Sequence, residues 1–384
     1  MKTKFSFLNN KLQVLFLCGW YPSRVSPTNG DFIQRHAEAV SLNHKVTVIH
    51  LITDKNCRQN IEIISKKEKG LNVHIAYLKP QKNYIRKIRL FWKAYKLLLK
   101  KVGSFDVIHL NEIYPFGVLA RLTCKKHQKP YIISEHFTGY LKASKYKIPV
   151  LQKLISRHIT KKAFAICPVS DFLTENMKQL GFKGNYVTVP NVVDTNLFIP
   201  KKKEHTFLKL VHVSNLKDSH KNISGMLRVA KRLEDTLDYF EWKFIGNNGV
   251  EFKNLIHVLN IEKGKVSFLE HQTQKELAAN LQEASVCISF SNYETFGIVI
   301  PEAIASGTPV ISTNTGIAIK LKASLFCKII STRDEDDLFQ KILNCENTFM
   351  NLDVAEMHTF VKQEFSKKVI SNKFSLLYYQ SLKK

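Results

Sequence analysis

Three scarcities narrow this chain before any motif is considered. No run of 18 or more apolar residues occurs in its 384 residues, and the longest apolar-looking stretch, 286–311, carries Glu294 and Glu302 near its middle. It does not read as a membrane span. The seven cysteines (Cys18, Cys57, Cys124, Cys167, Cys287, Cys327, Cys345) are odd in number, scattered, and form no C-x-x-C pair. That argues against a disulfide framework or a zinc ribbon. Acidic side chains are scarce in the first half: residues 1–200 hold 11 Asp and Glu against 33 Lys and Arg, a net of +22, whereas 201–384 hold 21 against 25, a net of +4. Such a lopsided field favours a polyanionic partner, and its sign alone does not choose between nucleic acid and an anionic membrane surface.

What is present is ordinary globular material. Hydrophobic residues make up 44% and charged residues 23%, which excludes a disordered or fibrous class, and the length suits two to three domains. The apolar run 12–18 follows several lysines and is open to reading as a secretion signal. Pro22 and Gly30 follow it in place of a small-residue cleavage site, so a buried strand and a cytoplasmic protein are expected.

Short apolar runs alternate with longer amphipathic segments, the pattern of strands joined by helices in parallel sheets. Strands are expected at 12–18, 45–51, 73–77, 107–110, 131–134, 163–169 and 186–189, with helices at 31–42, 84–102, 115–127, 150–162 and 171–180. A basic, polar break at Pro200-Lys201-Lys202-Lys203-Glu204 then opens a second series. Its strands are expected at 208–213, 242–245, 266–269, 286–290, 309–312 and 325–330, and its helices at 222–233, 252–259, 274–281, 301–306 and 334–343. Two doubly wound α/β domains follow, 1–200 and 201–353, with a cleft between the carboxyl ends of their sheets.

The most informative string is Ser291-Asn292-Tyr293-Glu294-Thr295-Phe296-Gly297-Ile298-Val299-Ile300-Pro301-Glu302, continuing to Gly307-Thr308-Pro309-Val310. It leaves a buried strand, turns at glycine, and enters a helix with Pro301 in its first turn. The N–H groups of Thr295, Phe296, Gly297 and Ile298 would then face the cleft as an anion site. Taken singly, Glu302 reads as a favourable charge near a helix start and Glu294 as a solvated loop residue. Eight positions apart, with a loop between them, they are able to grip two parts of one extended ligand.

As a whole the string resembles the E-x7-E signature of the retaining GT-B glycosyltransferases of family 4, glycosyltransferase group 1. The resemblance implies two Rossmann-like domains, with Glu294 on the hydroxyls of the transferred sugar and Glu302 on the nucleotide ribose. Other segments match the same family over nearly the whole chain. Tyr21-Pro22, Asn29-Gly30-Asp31 and Arg35-His36 resemble the loop that approaches the donor diphosphate, with Asn29 replacing one glycine of the usual pair. Asn suits that place because it tolerates left-handed angles. The stretch 105–111 resembles the Asp-Val-Ile-His strand, and 169–171 with 189–198 the Val-Ser helix and Pro-Asn-Gly-Val-Asp ending, Val192 standing where glycine is common. His136, after the 131–134 strand, falls where the family places a cleft histidine beside the sugar, a positioning or proton-handling group. Lys221 matches the diphosphate-holding lysine. Asn215 stands where an arginine is expected, and Lys217, two residues on, offers a point charge without the planar fork. At Thr315-Gly316-Ile317 one glycine of the family's pair is present and the following Pro-Glu is not. The segment 354–384 is helix-like and, as in the family, is expected to return to the first domain.

Within 79–101 nine basic residues and no acidic one accompany apolar residues at Tyr84, Ile88, Phe91, Tyr95 and Leu98, with Val102 continuing the face. This is either a helix packed on its own sheet or a membrane-surface helix. Seven more basic residues and no acid fall between Glu135 and Asp171. The leading expectation is therefore a retaining glycosyltransferase that moves a sugar from a nucleotide-diphosphate donor, UDP-sugar favoured, to a lipid-linked or surface-polysaccharide acceptor at the cytoplasmic membrane face. No cofactor and no metal cluster are called for. A nucleotide-sugar 2-epimerase and a catalytically degenerate GT-B binding protein are the enzyme-fold alternatives. A nucleic-acid partner is not expected, since charge is its only support.

Overall fold

A computed structural model describes residues 11–201 and 207–383. The first sheet comprises β1 (Gln13–Cys18), β2 (Lys45–Thr53), β3 (Ile61–Glu68), β4 (Leu71–Leu78), β5 (Val107–Asn111), β6 (Tyr131–Glu135) and β7 (Ala165–Pro168). They lie in the order β3-β4-β2-β1-β5-β6-β7, parallel throughout except for the antiparallel β3–β4 edge pair. The helices are α1 (Asp31–Ser41), α2 (Tyr84–Val102), α3 (Gly117–His127), α4 (Val150–Lys162) and α5 (Asp171–Gln179). Strand β1 shows why the run is apolar on both faces. Leu15 and Leu17 join one cluster with Tyr95, Leu98, Leu119 and Ile159 from α2, α3 and α4. Val14 and Phe16 join another with Ile33 and Val40 of α1 on the opposite side.

The second sheet contains β8 (Leu208–Val213), β9 (Phe240–Ile245), β10 (Val266–Leu269), β11 (Val286–Ser289), β12 (Val310–Thr313) and β13 (Cys327–Ile330), ordered β10-β9-β8-β11-β12-β13 and all parallel. Around it lie α6 (Asp218–Lys221), α7 (Ile223–Glu234), α8 (Lys253–Val258), α9 (Gln274–Glu283), α10 (Val299–Ala305), α11 (Ala318–Leu321), α12 (Glu335–Leu343), α13 (Cys345–Phe349) and α14 (Val354–Phe365). In each sheet the order reverses around one central strand, β1 and β8, which opens the crevice where such folds bind ligands.

The final helix, α15 (Lys367–Ser381), leaves the second domain. Helix α14 buries Met357, Val361 and Phe365 beside Ile300 and Ile304 of α10, whereas α15 buries Ile370, Phe374 and Tyr378 against the first domain. There the Tyr378 hydroxyl meets His109 Nδ1 at 2.6 Å and Ser375 Oγ meets His44 Nε2 at 2.8 Å. The segment 354–383 is thus two helices with a crossing at Ser366: α14 packs on α10 and touches the end of the first domain through His358 to the Thr195 carbonyl at 2.9 Å, and α15 is seated on the first domain.

Four details differ from the sequence expectations. Strand β3 was not expected, because Lys66, Lys67 and Glu68 dilute its apolar pattern; an edge strand needs only one buried face, and such charges blunt its open edge. The expected strand at 186–189 makes a single bridge, Tyr186 to Ile166, and otherwise runs beside β7 as a loop. Helix α10 starts at Val299, so Pro301 occupies its third position. Asn29 and Val192 do not adopt positive φ, so no left-handed turn is needed at either, and Val192 is core. Within the expected break, Lys202, Lys203 and Glu204 lie outside the described residues.

Candidate active site

Both carboxyl edges face one another, and the loop from β1 to α1 shapes the first-domain side. Gly30 precedes α1 at φ 79°, and a Cβ there would meet the Trp20 carbonyl carbon at 2.6 Å, so only glycine lets the loop fold this close. After β6, the Glu135 carboxylate accepts from the N–H groups of Ile113, His136 and Phe137 at 2.9, 2.7 and 2.8 Å. This buried cap sets the turn that presents His136. The imidazole lies 4.5 Å from the Phe32 ring and 5.5 Å from that of His36, and neither of its nitrogens has a partner among the described residues. Burial first, then the neighbouring His36 and His109, hold it well below the usual histidine range. At neutral pH it is uncharged, with one nitrogen to donate and one to accept.

On the second-domain side, loop 214–222 is tied to the signature loop. Asn292 N–H donates to the His220 carbonyl at 2.8 Å, its amide donates to the Ser219 carbonyl at 3.1 Å, and the His220 ring stacks on Tyr293 with centroids 4.4 Å apart. Lys221 is thereby brought onto Glu294, to whose Oε1 its Nζ donates. Burial pushes Lys221 down to about 8, while the Glu294 carboxylate beside it favours the ammonium, so the pair is charged at neutral pH. Asn215 and Lys217 are exposed, and the Asn215 side chain accepts from Lys217 N–H at 3.3 Å. Neither side chain makes an ion pair among the described residues.

The amides of Thr295, Phe296, Gly297 and Ile298 donate to no acceptor among the described residues. Their carbonyls are engaged differently: Phe296 O accepts from Ile317 N–H at 2.8 Å, and Thr295 O accepts from Ser170 Oγ of the first domain at 2.5 Å. Four consecutive backbone donors are thus left without an acceptor among the described residues. Among the described residues, no group of three or more His, Cys, Asp or Glu is placed to hold a metal ion.

Glu302 makes a contact that the sequence does not announce. It is 1% exposed, and its Oε1 accepts from Nη1 of Arg35 on α1 at 2.7 Å, across the cleft. Arg35 also holds Asp31 at 2.9 Å, one helical turn back. Burial lifts the Glu302 carboxyl and Arg35 opposes the lift. Sequence reasoning noted Arg35 only as part of a loop. The signal for more was the Asp31–Arg35 spacing on the helix that opens at Gly30, which puts the two side chains on one helix face.

Two facing Rossmann-like domains with this cleft define the GT-B architecture of glycosyltransferases. The structure superposes on the sucrose-phosphate synthase of Thermosynechococcus elongatus with a TM-score of 0.77 and 16% identity, covering 96% of this chain and 99% of that one. It also superposes on Anabaena HepE in complex with UDP-glucose, with a TM-score of 0.73 and 15% identity, covering 96% and 100%. In sequence, a probable sucrose-phosphate synthase of Thermosipho melanesiensis is 34% identical over 164 residues, 40% of this chain and 38% of that protein. Two family models divide the chain between them: Glycosyltransferase Family 4 over residues 34–197 and Glycosyl transferases group 1 over 194–347. The chain belongs to the group 1 glycosyltransferases of family 4.

Proposed function

We propose that the protein transfers a sugar, with retention of anomeric configuration, from a nucleoside-diphosphate sugar to a hydroxyl of a lipid-linked or surface-polysaccharide acceptor at the cytoplasmic membrane face. The second domain takes the donor and the first takes the acceptor. The C1–O bond to the diphosphate breaks, the acceptor oxygen bonds to C1, and the acceptor proton passes to the departing phosphate oxygen on the same face. Charge that grows on the diphosphate is met by Lys221, by the amides of Thr295 to Ile298 and by the loop at Gly30. Glu294 orients the sugar hydroxyls with its free acceptor capacity, and His136 lies ready on the opposite wall as a neutral hydrogen-bonding group. Glu302 is assigned to the ribose, which requires the nucleotide to share or displace Arg35. A UDP-sugar is the favoured donor, in keeping with the UDP-glucose bound by HepE. The observation that carries this reading is the Lys221–Glu294 pair set beside four undonated amides.

The membrane part rests on one surface. Helices α2, α3 and α4 join one cluster on the same side of the first sheet, and each begins after the carboxyl end of a strand, so their first turns lie along its carboxyl edge. There Tyr84, Ile85 and Ile88 of α2, with Val150, Leu151 and Leu154 of α4, are more than half exposed. Helix α4 buries Gln152, Ser156, Ile159 and Thr160 while exposing these leucines and valine. Residues 79–170 carry 20 Lys and Arg against three acids, of which Glu112 and Glu135 are buried. Such a face suits an anionic leaflet, each cation near it contributing about 1 kcal/mol. No helix among the described residues is long and apolar enough to cross a membrane.

The test is a thermal-shift panel of UDP, GDP, ADP and common nucleotide sugars on the wild type and Lys221→Met. Stabilisation by one nucleotide family, weakened in the variant, is expected, since a ligand held at about 100 times its Kd adds about 2.7 kcal/mol. No response to any nucleotide would sink the reading.

A further inference from the structure

Buried polar groups in folded proteins almost always find partners, so a cluster that does not marks a place meant for something else. The carboxyl edge of the first sheet holds such groups: Asn111 Oδ1 at the end of β5 and both ring nitrogens of His136 after β6 are buried and unpartnered among the described residues. Glu112 belongs with them as well. It is 9% exposed, and its carboxyl has neither a hydrogen bond nor an ion pair among the described residues. Its backbone is pinned by N–H donation to the Ser134 carbonyl at 3.0 Å, at the cost of a left-handed φ of 76°, which non-glycine residues rarely adopt.

The carboxyl is aimed at the start of the β1–α1 loop. A Cβ on Gly19 would land on it, so glycine there is what lets the acid lie over the backbone. The next residue, Trp20, has its ring 6.2 Å from those of both Phe32 and Phe137, and Phe32 in turn touches His136 at 4.5 Å. The Glu112 carboxyl over Gly19 and the His136 imidazole against Phe32 thus lie to either side of Trp20, each with unused hydrogen-bonding capacity. The adjoining Glu135 carboxylate is spent on three backbone amides and offers Glu112 no partner.

We propose that Glu112 is a hydroxyl-binding residue of the acceptor site, which with His136 receives an uncharged, hydroxyl-bearing glycosyl ring against the Trp20 and Phe137 rings. The inference rests on the glycosyltransferase reading above and adds to it a residue and a ligand class. Burial and the nearby Glu135 push the Glu112 carboxyl up to about 9, so at neutral pH it carries its proton and offers one O–H donor and a carbonyl acceptor. A hydroxyl needs that pairing. An anionic ring is disfavoured there, because the desolvation that lifts the Glu112 and Glu135 carboxyls works against any further negative charge. Acting as a neutral group, Glu112 is replaceable by an amide of the same shape, whereas a proton-abstracting base is not.

The experiment is saturation-transfer NMR on the UDP-loaded protein with a panel of methyl glycosides: α-glucoside, β-galactoside, α-mannoside and N-acetyl-β-glucosaminide. At least one glycoside should give signals with the wild type and with Glu112→Gln. Glu112→Ala should weaken them about tenfold or more, the worth of one to two hydrogen bonds at about 1 kcal/mol each. Gly19→Ala, which drives a methyl group onto the carboxyl, should do the same. UDP's own signals report that each variant is folded and that the donor site is intact. Glycoside signals that survive Glu112→Ala unchanged, or that are absent from the UDP-loaded wild type, overturn the inference while leaving the donor reading standing. Loss of the UDP signals in the wild type overturns both.

Discussion

Removing Arg35 should destabilise the protein more than removing its partner Glu302, and the structure says why. The two side chains are 13% and 1% exposed, and the pair links α1 of the first domain to α10 of the second. Breaking a buried pair from one side costs about 3–5 kcal/mol, because the orphaned charge stays where water does not reach it. In Glu302→Ala the orphan is Arg35, which keeps Asp31 at 2.9 Å and has the Gln274 amide beside it, so the loss falls at the low end. In Arg35→Ala the orphan is a carboxylate with no other ion-pair partner among the described residues, so the loss falls at the high end. A loss of about 3 kcal/mol in a domain of this size lowers Tm by about 6–12 °C. The Arg35→Ala penalty should also depend on pH in a definite direction. Burial already lifts the Glu302 carboxyl above its ordinary range, and without the guanidinium the lift is larger. A carboxyl raised in the folded state costs stability once it must ionise, so the penalty is largest at neutral and alkaline pH and shrinks as the pH falls toward the ordinary carboxylate range. The measurement is chemical denaturation of both single variants and of Arg35→Met/Glu302→Leu, with the double variant recovering much of the loss. A coupling energy below about 1 kcal/mol, the range of an exposed pair, would refute the closed contact between the two domains.

Three further outcomes are expected. His36, His50 and His212 are buried and held down to about 4, 4 and 3 by desolvation, so they are neutral in the folded state and take up protons on unfolding. Stability is then complete above about pH 6.5 and falls as the pH drops toward 4, each group contributing a slope of up to about 1.4 kcal/mol per pH unit; an unfolding free energy flat across that window would contradict their burial. Lys221→Met should weaken nucleotide binding by about 1.5–3 kcal/mol, the worth of a hydrogen bond to a charged group, as read by calorimetric titration; unchanged affinity would remove Lys221 from the donor site. Val150→Glu/Leu151→Glu/Leu154→Glu touches no buried contact of the core and should abolish sedimentation with phosphatidylglycerol vesicles while leaving Tm within a few degrees; vesicle binding at wild-type level would move the membrane surface elsewhere.

The alternation of short apolar runs and amphipathic segments was enough to read two parallel α/β domains, because a strand covered by helices on both faces is apolar on both, as β1 is from Val14 to Cys18. The spacing of Glu294 and Glu302 and the turn at Gly297 were likewise legible, since a loop between strand and helix is a local construction. Tertiary structure decided the rest. Strand β3 exists because β4 offers it an edge, not because its own lysine-rich pattern demands a sheet. Helix α4 looks amphipathic along the chain, yet which of its faces is buried depends on the neighbours it meets, and with Ile159 it buries Gln152, Ser156 and Thr160. Lys221 and Glu294 are 73 positions apart and Arg35 and Glu302 are 267 apart, distances over which no periodicity carries information. Glu112 reads in sequence as one of few acids in a basic half. Only the fold takes its carboxyl from water, denies it a partner and lays it over Gly19, because desolvation and the absence of a hydrogen bond are properties of what surrounds a group and not of the group itself.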